Sequence, residues 1–171
     1  MILTLSLVAQ EIRVLEENLA EVKFDRFTGK TVIGSSKHYL SKMVRLAYER
    51  PILVCALEYS GKIPKSELNV TIQIVFLSFN KDWQYLERHD LYCLKDGEPF
   101  KLPAAAHKGK VMSGGVRETV SINIDFSTLR ELCEAETLEF KIGLTEFISR
   151  EIELDMLASI MQLFEIEAAK K

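Results

Sequence analysis

The sequence predicts an α+β protein: a mostly antiparallel, sandwich-like β-sheet body with a short helix, a C-terminal helix and a helix at the N-terminus. Three observations carry this reading. Apolar residues recur at every second position through most of residues 21–149. The turns between these runs have hairpin chemistry, Asp96-Gly97 above all. The eight or nine short strands do not alternate with helices in the βαβ order that a parallel sheet needs. The 171 residues suit one domain, divided into an amphipathic N-terminal segment (1–20), a β-rich body (21–149) and a C-terminal helix (150–168). A chain of this length buries roughly 70% of its unfolded surface, so a core stabilises it without metals or crosslinks.

In the first segment Leu5, Val8, Ile12, Leu15, Leu19 and Val22 step by three and four, while Glu11, Arg13, Glu16, Glu17 and Glu21 fall off that stripe. A helix from about Val8 to Ala20 follows, its apolar stripe turned to its own domain or to a partner chain. From Glu21 the period becomes two. "EVKFDRFTGKTVIGS" reads as two strands joined at Gly29-Lys30 in a type II′ turn. "SSKHYLSKMVRLAYE" is a polar loop with helical potential. "PILVCALEY" is a run of mostly apolar and β-branched residues, which predicts a central strand buried on both faces. "NVTIQIVFLSF" alternates, with Val70, Ile72, Ile74 and Phe76 on one face.

The next stretch, "DWQYLER", reads as an irregular corner pinned to the core by Trp83 and Leu86. "LYCLK" is a strand, and Asp96-Gly97 predicts a type I′ turn, because that turn needs φ > 0 at both central residues. The register then sets Lys95 against Glu98, Leu94 against Pro99, Cys93 against Phe100, Tyr92 against Lys101 and Leu91 against Leu102. Pro99 marks an edge strand. "PAAAHKGKVMSGG" reads as a loop. "VRETVSINIDF" turns Val116, Val120, Ile122, Ile124 and Phe126 inward, with Glu118 breaking the inward set. "STLRELCEAE" is a short helix capped by Ser127. "TLEFKIG" and "TEFIS" are strands, and Ser149 caps a last helix whose apolar face holds Leu154, Leu157, Ile160, Met161 and Phe164.

Composition narrows the function classes. A 47% hydrophobic and 27% charged chain is an ordinary globular composition, and a net charge of −3 gives no general attraction to nucleic acid or anionic lipid. No stretch is long enough to span a bilayer. Three cysteines, each in an apolar stretch, read as buried reduced thiols and point to a cytoplasmic protein. The alternative is an exported cell-envelope accessory protein, if a leader preceded Met1. No HxH, HExxH or CxxC spacing supports a metal, and no cofactor motif is present. Gly29-Lys30-Thr31 echoes the end of a P-loop, but Phe24 stands where its first glycine belongs. His89-Asp90 resembles the dipeptide of metal phosphohydrolases, yet it leads into a strand rather than lying on a helix of a bundle.

Two features remain. Lys108, Lys110 and Arg117, among Gly109, Gly114 and Gly115, form either a basic flap over an anionic ligand or a solvated loop. Glu118, on an inward-facing position, is either a buried carboxylate needing a partner, for which His107, Lys101 or Lys141 is in reach, or a residue at an exposed rim. The speculative ligand set is therefore His107, Lys108, Lys110, Arg117 and Glu118, with no catalytic residue and no metal assigned.

"FDRFTGKTVI", "DWQYL…LYCLKDGEPFKL", "RETVSINIDFSTLRELCEAETLEFKIGLTEF" and the closing helix together resemble a loosely defined group of uncharacterised bacterial β-rich proteins, over about residues 21–165. In that pattern a Trp and an Asp-Gly hairpin precede a Glu-containing strand, and a short helix, a "KIG…EF" hairpin and a final helix follow. The resemblance implies the fold and no activity. The expected function is a non-catalytic binding or protein-interaction module that self-associates through the N-terminal helix or an edge strand. The alternative is a small-ligand-binding protein or enzyme using residues 107–117 and Glu118.

Overall fold

A computed structural model of the chain describes residues 18–170. The expected helix from Val8 to Ala20 lies outside the described residues except at its end, where Asn18 stands in a turn and Ala20 already opens a strand. Ten strands follow: β1 (Ala20–Asp25), β2 (Lys30–Ser35), β3 (Ile52–Ser60), β4 (Val70–Asn80), β5 (Leu91–Lys95), β6 (Glu98–Phe100), β7 (Ala106–Met112), β8 (Gly115–Ile124), β9 (Leu138–Ile142) and β10 (Thr145–Ile148). Among the described residues the α-helices are α1 (Lys37–Met43), α2 (Phe126–Cys133) and α3 (Glu151–Ala169).

The strands form two sheets, and every neighbouring pair is antiparallel. The larger runs β1-β2-β3-β4-β8-β7 and the smaller β10-β9-β5-β6. Two-residue periodicity does the sorting. Leu53, Cys55, Leu57 and Tyr59 of β3, Ile72, Ile74 and Phe76 of β4, and Val120 and Ile122 of β8 all turn to one side and are buried. Helix α3 covers that side over β1 to β3, where Phe164 meets the edge of Tyr59 and Ser35 Oγ contacts Met156 Sδ at 3.2 Å. The small sheet covers it over β4, where Phe76 packs edge-on against Phe140, centroids 4.9 Å apart, and against Phe147. One core serves both layers.

Several local expectations are met. Asp96 and Gly97 have φ of 52° and 83°, the type I′ pattern. Lys95, Leu94 and Cys93 face Glu98, Pro99 and Phe100, although the ladder stops there and does not reach Leu102. Others are corrected. β3 is central, but Val54, Ala56 and Glu58 on its outer face are only half-buried, because nothing described lies over them. The first hairpin turns through Arg26 to Gly29, with Gly29 N–H bonded to Asp25 C=O and Gly29 at φ +67°, so Phe24 rather than Thr28 faces Thr31 and Lys30 already belongs to the ladder. The expected loop at 103–115 contains strand β7, joined to β8 through Ser113 and Gly114. Asp125 rather than Ser127 caps α2, accepting from Thr128 N–H at 2.7 Å. At α3 the N-cap is Arg150, and the side chain of Glu153 reaches back to accept from Arg150 N–H at 2.9 Å.

Candidate functional site

Glu118 sits in the middle of β8 on its inward face, and its side chain is fully buried. A carboxylate there needs each of its roughly four acceptor positions filled. Oε1 accepts from Tyr85 N–H at 2.9 Å and His107 Nε2 at 3.0 Å; Oε2 accepts from Gln84 N–H at 2.8 Å and Asn80 Nδ2 at 3.0 Å. The rim reading is therefore overturned, and of the three expected partners His107 is the one that reaches. A carboxylate only accepts, so Nε2 of His107 carries the proton.

The two backbone donors belong to residues 81–90, the connection from β4 of the large sheet to β5 of the small one. Drawing the amides of Gln84 and Tyr85 towards Glu118 turns Tyr85 into the core, where its hydroxyl meets Thr145 Oγ1 at 3.2 Å. Its neighbours then turn outwards: Trp83 is 40% and Leu86 53% exposed, so neither pins the corner to the core as expected. Trp83 instead lies flat enough on β7 that a Cβ on Gly109 would come within 2.0 Å of the indole ring. His107 is held between Trp83 and His89, with ring centroids 6.0 and 5.6 Å away, and His89 Nδ1 reaches Tyr85 C=O at 3.2 Å.

The five residues singled out in the sequence do not share one face. His107 and Glu118 meet on the inner side of the β7–β8 ladder. Lys108, Lys110 and Arg117 lie on its outer side, exposed, with Lys110 directly opposite Arg117. The basic stretch is a paired strand rather than a flap. Among the described residues no group of three or more His, Cys, Asp or Glu is placed to hold a metal ion. Burial pushes the thiols of Cys93 and Cys133 up to about 12, and that of Cys55 higher still.

A second buried carboxylate had no distinguishing signal in the sequence. Glu153, in the first turn of α3, has a fully buried side chain paired with Arg50, whose Nη2 lies at 2.6 Å from Oε2 and Nη1 at 3.3 Å from Oε1. Leu53 N–H and Arg150 N–H complete its shell at 2.8 and 2.9 Å. It looked like an acidic residue favouring a helix N-terminus, and it does that as well.

Large apolar side chains gather on and beside the small sheet. Its outer face is a shallow groove of about 490 Å³ lined by Tyr92, Leu94, Glu139, Lys141, Glu146 and Ile148. Pairing across the sheet makes two rows, Tyr92–Lys141–Glu146 and Leu94–Glu139–Ile148. Lys141 Nζ bonds Glu146 at 2.7 Å, so the charges of the first row are already matched. A second hollow of about 410 Å³, lined in part by Trp83, Leu86 and Leu144, adjoins the β9–β10 turn. The signal for this surface was present in "LYCL": assigning Cys93 inward necessarily sent Tyr92 and Leu94 out.

Among the described residues no helix is long and apolar enough to cross a membrane. Compared with protein-family models, curated proteins and solved structures, the chain shows no significant match to any of them.

Proposed function

We propose that the protein is a non-catalytic interaction module that binds a protein partner on the outside of its small sheet and also associates with copies of itself. One observation carries the reading: Tyr92, Leu94 and Ile148 stand 62%, 36% and 58% exposed on one small sheet whose inner face packs into the core, with Leu144, 80% exposed, at its turn. Clustered exposed apolar side chains are the mark of a protein contact rather than of chance. The row Leu94–Glu139–Ile148 defines what fits. A partner segment with two apolar side chains flanking a Lys or Arg would bury both apolar neighbours and pair Glu139. The three free cysteines support a reducing, cytoplasmic setting for this work.

Photo-crosslinking tests the proposal. A crosslinking aromatic residue in place of Tyr92, in cells that make the protein, should give one discrete adduct. That adduct should disappear with Glu139→Lys, and the same residue in place of Thr119, outside the large sheet, should give none. Equal adducts from both positions, or none from Tyr92, would sink the idea.

A second reading rests on the outer face of β7–β8, where Lys108, Lys110 and Arg117 place like charges side by side. Such an arrangement costs energy unless an anion offsets it. A small anionic ligand is the occupant, with His107 and Glu118 acting from behind by fixing the two strands. Titration with inorganic phosphate or a short polyphosphate, followed by amide chemical shifts, should move residues 108, 110 and 117 together. Shifts scattered over the surface would dispose of it.

A further inference from the structure

Among the described residues the large sheet ends in two unpaired edges, and they are built oppositely. β1 is one edge. Ser36 N–H bonds Leu19 C=O at 2.8 Å, in step with the register that sets Ala20 against Ser35. Hydrogen-bonded pairs recur at every second residue of an antiparallel ladder. The pairs at Glu21, Lys23 and Asp25 therefore bond to β2, and the N–H and C=O groups of Ala20, Val22 and Phe24 face away from it. Those three residues also share the inward side, since Val22 and Phe24 lie opposite Ile33 and Thr31. They remain open, Val22 37% and Phe24 41% exposed.

We infer that β1 pairs antiparallel with β1 of a second copy of this chain about a two-fold axis through Val22, joining the two large sheets into one continuous sheet. This rests on the homotypic half of the proposed function and names its surface. Several independent features agree with this register. The outward-facing backbone groups belong to Ala20, Val22 and Phe24, so the pairs Ala20–Phe24, Val22–Val22 and Phe24–Ala20 across the axis exchange about six hydrogen bonds. On the inward side the large Phe24 ring meets the small Ala20 of the other copy, and the two Val22 side chains meet each other. On the outer side Glu21 of one copy comes opposite Lys23 of the other, twice by symmetry, in the non-hydrogen-bonded pairs where side chains approach closest. Within one copy Glu21 and Lys23 already bond each other at 2.6 Å, and that contact holds the Glu21 carboxyl below its usual range, charged and ready to share.

The other edges explain why assembly stops at two. A two-fold axis through Gly109 of β7 would set Lys108 against Lys110, like charge against like, and Trp83 already occupies the surface over Gly109. On the small sheet β10 has four residues and β6 three, one of them Pro99, which has no N–H to give. Among the described strands, β1 alone presents a self-complementary edge, and a two-fold contact closes on itself.

Charge reversal tests the register on the full chain. Light scattering behind size exclusion should show a concentration-dependent dimer. Glu21→Lys and Lys23→Glu should each weaken it by about tenfold or more, since each converts two attractive cross-strand pairs to repulsive ones. The double variant Glu21→Lys/Lys23→Glu should restore it. An equimolar mixture of the two single variants should form the mixed dimer. Val22→Cys should crosslink to itself under mild oxidation, because directly opposed residues lie within disulfide reach. Circular dichroism should be unchanged throughout, as these side chains are exposed. A wild-type monomer at every concentration overturns the homotypic half of the proposed function together with this inference. A dimer that ignores both reversals and leaves the Val22→Cys variant uncrosslinked overturns the β1 assignment and leaves self-association standing. Photo-crosslinking from Tyr92 is independent of either result.

Discussion

Glu118 and Glu153 lie near the same end of the large sheet, one on β8 and the other at the start of β3 two strands away, and are bound by the same count of donors. Each accepts two backbone N–H groups and two side-chain N–H groups, and each side chain is closed to solvent. Glu118 ties the corner between the sheets to the β8 strand. Glu153 ties the first turn of α3 to the start of β3. The side-chain donors separate them. Arg50 is a fixed cation with no acceptor atom, further held by Pro51 C=O at 2.7 Å and by the Phe147 ring. His107 and Asn80 can each turn round: an imidazole exchanges tautomers, and an amide flips its oxygen for its nitrogen. One node is rigid in its chemistry and the other is convertible.

The largest expected effect follows from that difference. Gln in place of either glutamate keeps the shape, removes the charge and puts two donors where an acceptor stood. At Glu153 the new amide faces only donors and leaves the Arg50 cation without its counter-ion, so Glu153→Gln should cost about 3 kcal/mol or more. At Glu118, His107 and Asn80 can become acceptors and a single backbone N–H loses its partner, so Glu118→Gln should cost about 1–2 kcal/mol. Urea unfolding at neutral pH measures both. Equal losses would mean that the convertible partners do not convert, and the contrast between the nodes would fall.

How much of this was legible in the residues depends on whether a feature is periodic or contingent. Strands β4, β5, β8 and β9 and helix α3 announce themselves through repeated apolar spacing, because burying one face of a pleated or helical element imposes a period. The Asp96-Gly97 turn was legible because few residues tolerate φ > 0 twice. β7 was not, since an edge strand with Lys108 and Lys110 on one side and His107 and Gly109 on the other carries no apolar alternation. Its one sequence signal was the Ser113-Gly114 turn before a clear strand. For Glu118 the oddity of an inward carboxylate was visible, and His107 was a nameable partner. Its other donors were not, because two are backbone N–H groups of a corner that has no period. Glu153 was hidden in plain acidic company at a helix N-terminus.

A smaller effect probes the Glu118 corner alone. Gly109→Ala introduces a Cβ where the Trp83 ring now lies, so the indole must move outwards or the strand must give. Trp83 is partly exposed and has room to leave, which holds the cost to about 1 kcal/mol, at the low end for overpacking. Because Trp83 is the only tryptophan, its emission should shift to the red while far-ultraviolet circular dichroism stays constant. The variant should not alter amide exchange at Leu53 or Arg150, on the Glu153 side. An unshifted emission would show that the indole is not anchored by β7, and the corner would then depend on Glu118 alone.

The finest test asks which segment opens when each node is weakened. Cys55 lies on β3 two residues beyond Leu53, whose amide Glu153 holds; Cys93 lies on β5, which follows the corner that Glu118 holds. Burial raises the Cys93 thiol from 9.0 to about 12, so at pH 8 its thiolate is on the order of a thousandfold scarcer than in the unfolded chain. Labelling by a thiol reagent must therefore wait for local opening. The sign of the linkage follows: a thiol kept protonated by the fold adds stability below its unfolded value, and that stability drains away as pH climbs past about 9 towards 12. At pH 8, well inside the stable window, Glu118→Gln should speed labelling of Cys93 more than of Cys55, and Glu153→Gln should do the reverse. Mass spectrometry of peptides resolves the sites. If both variants speed both cysteines in the same ratio, the two nodes hold a single cooperative unit. The difference between Arg50 and His107 would then be a difference in chemistry with no difference in what it secures.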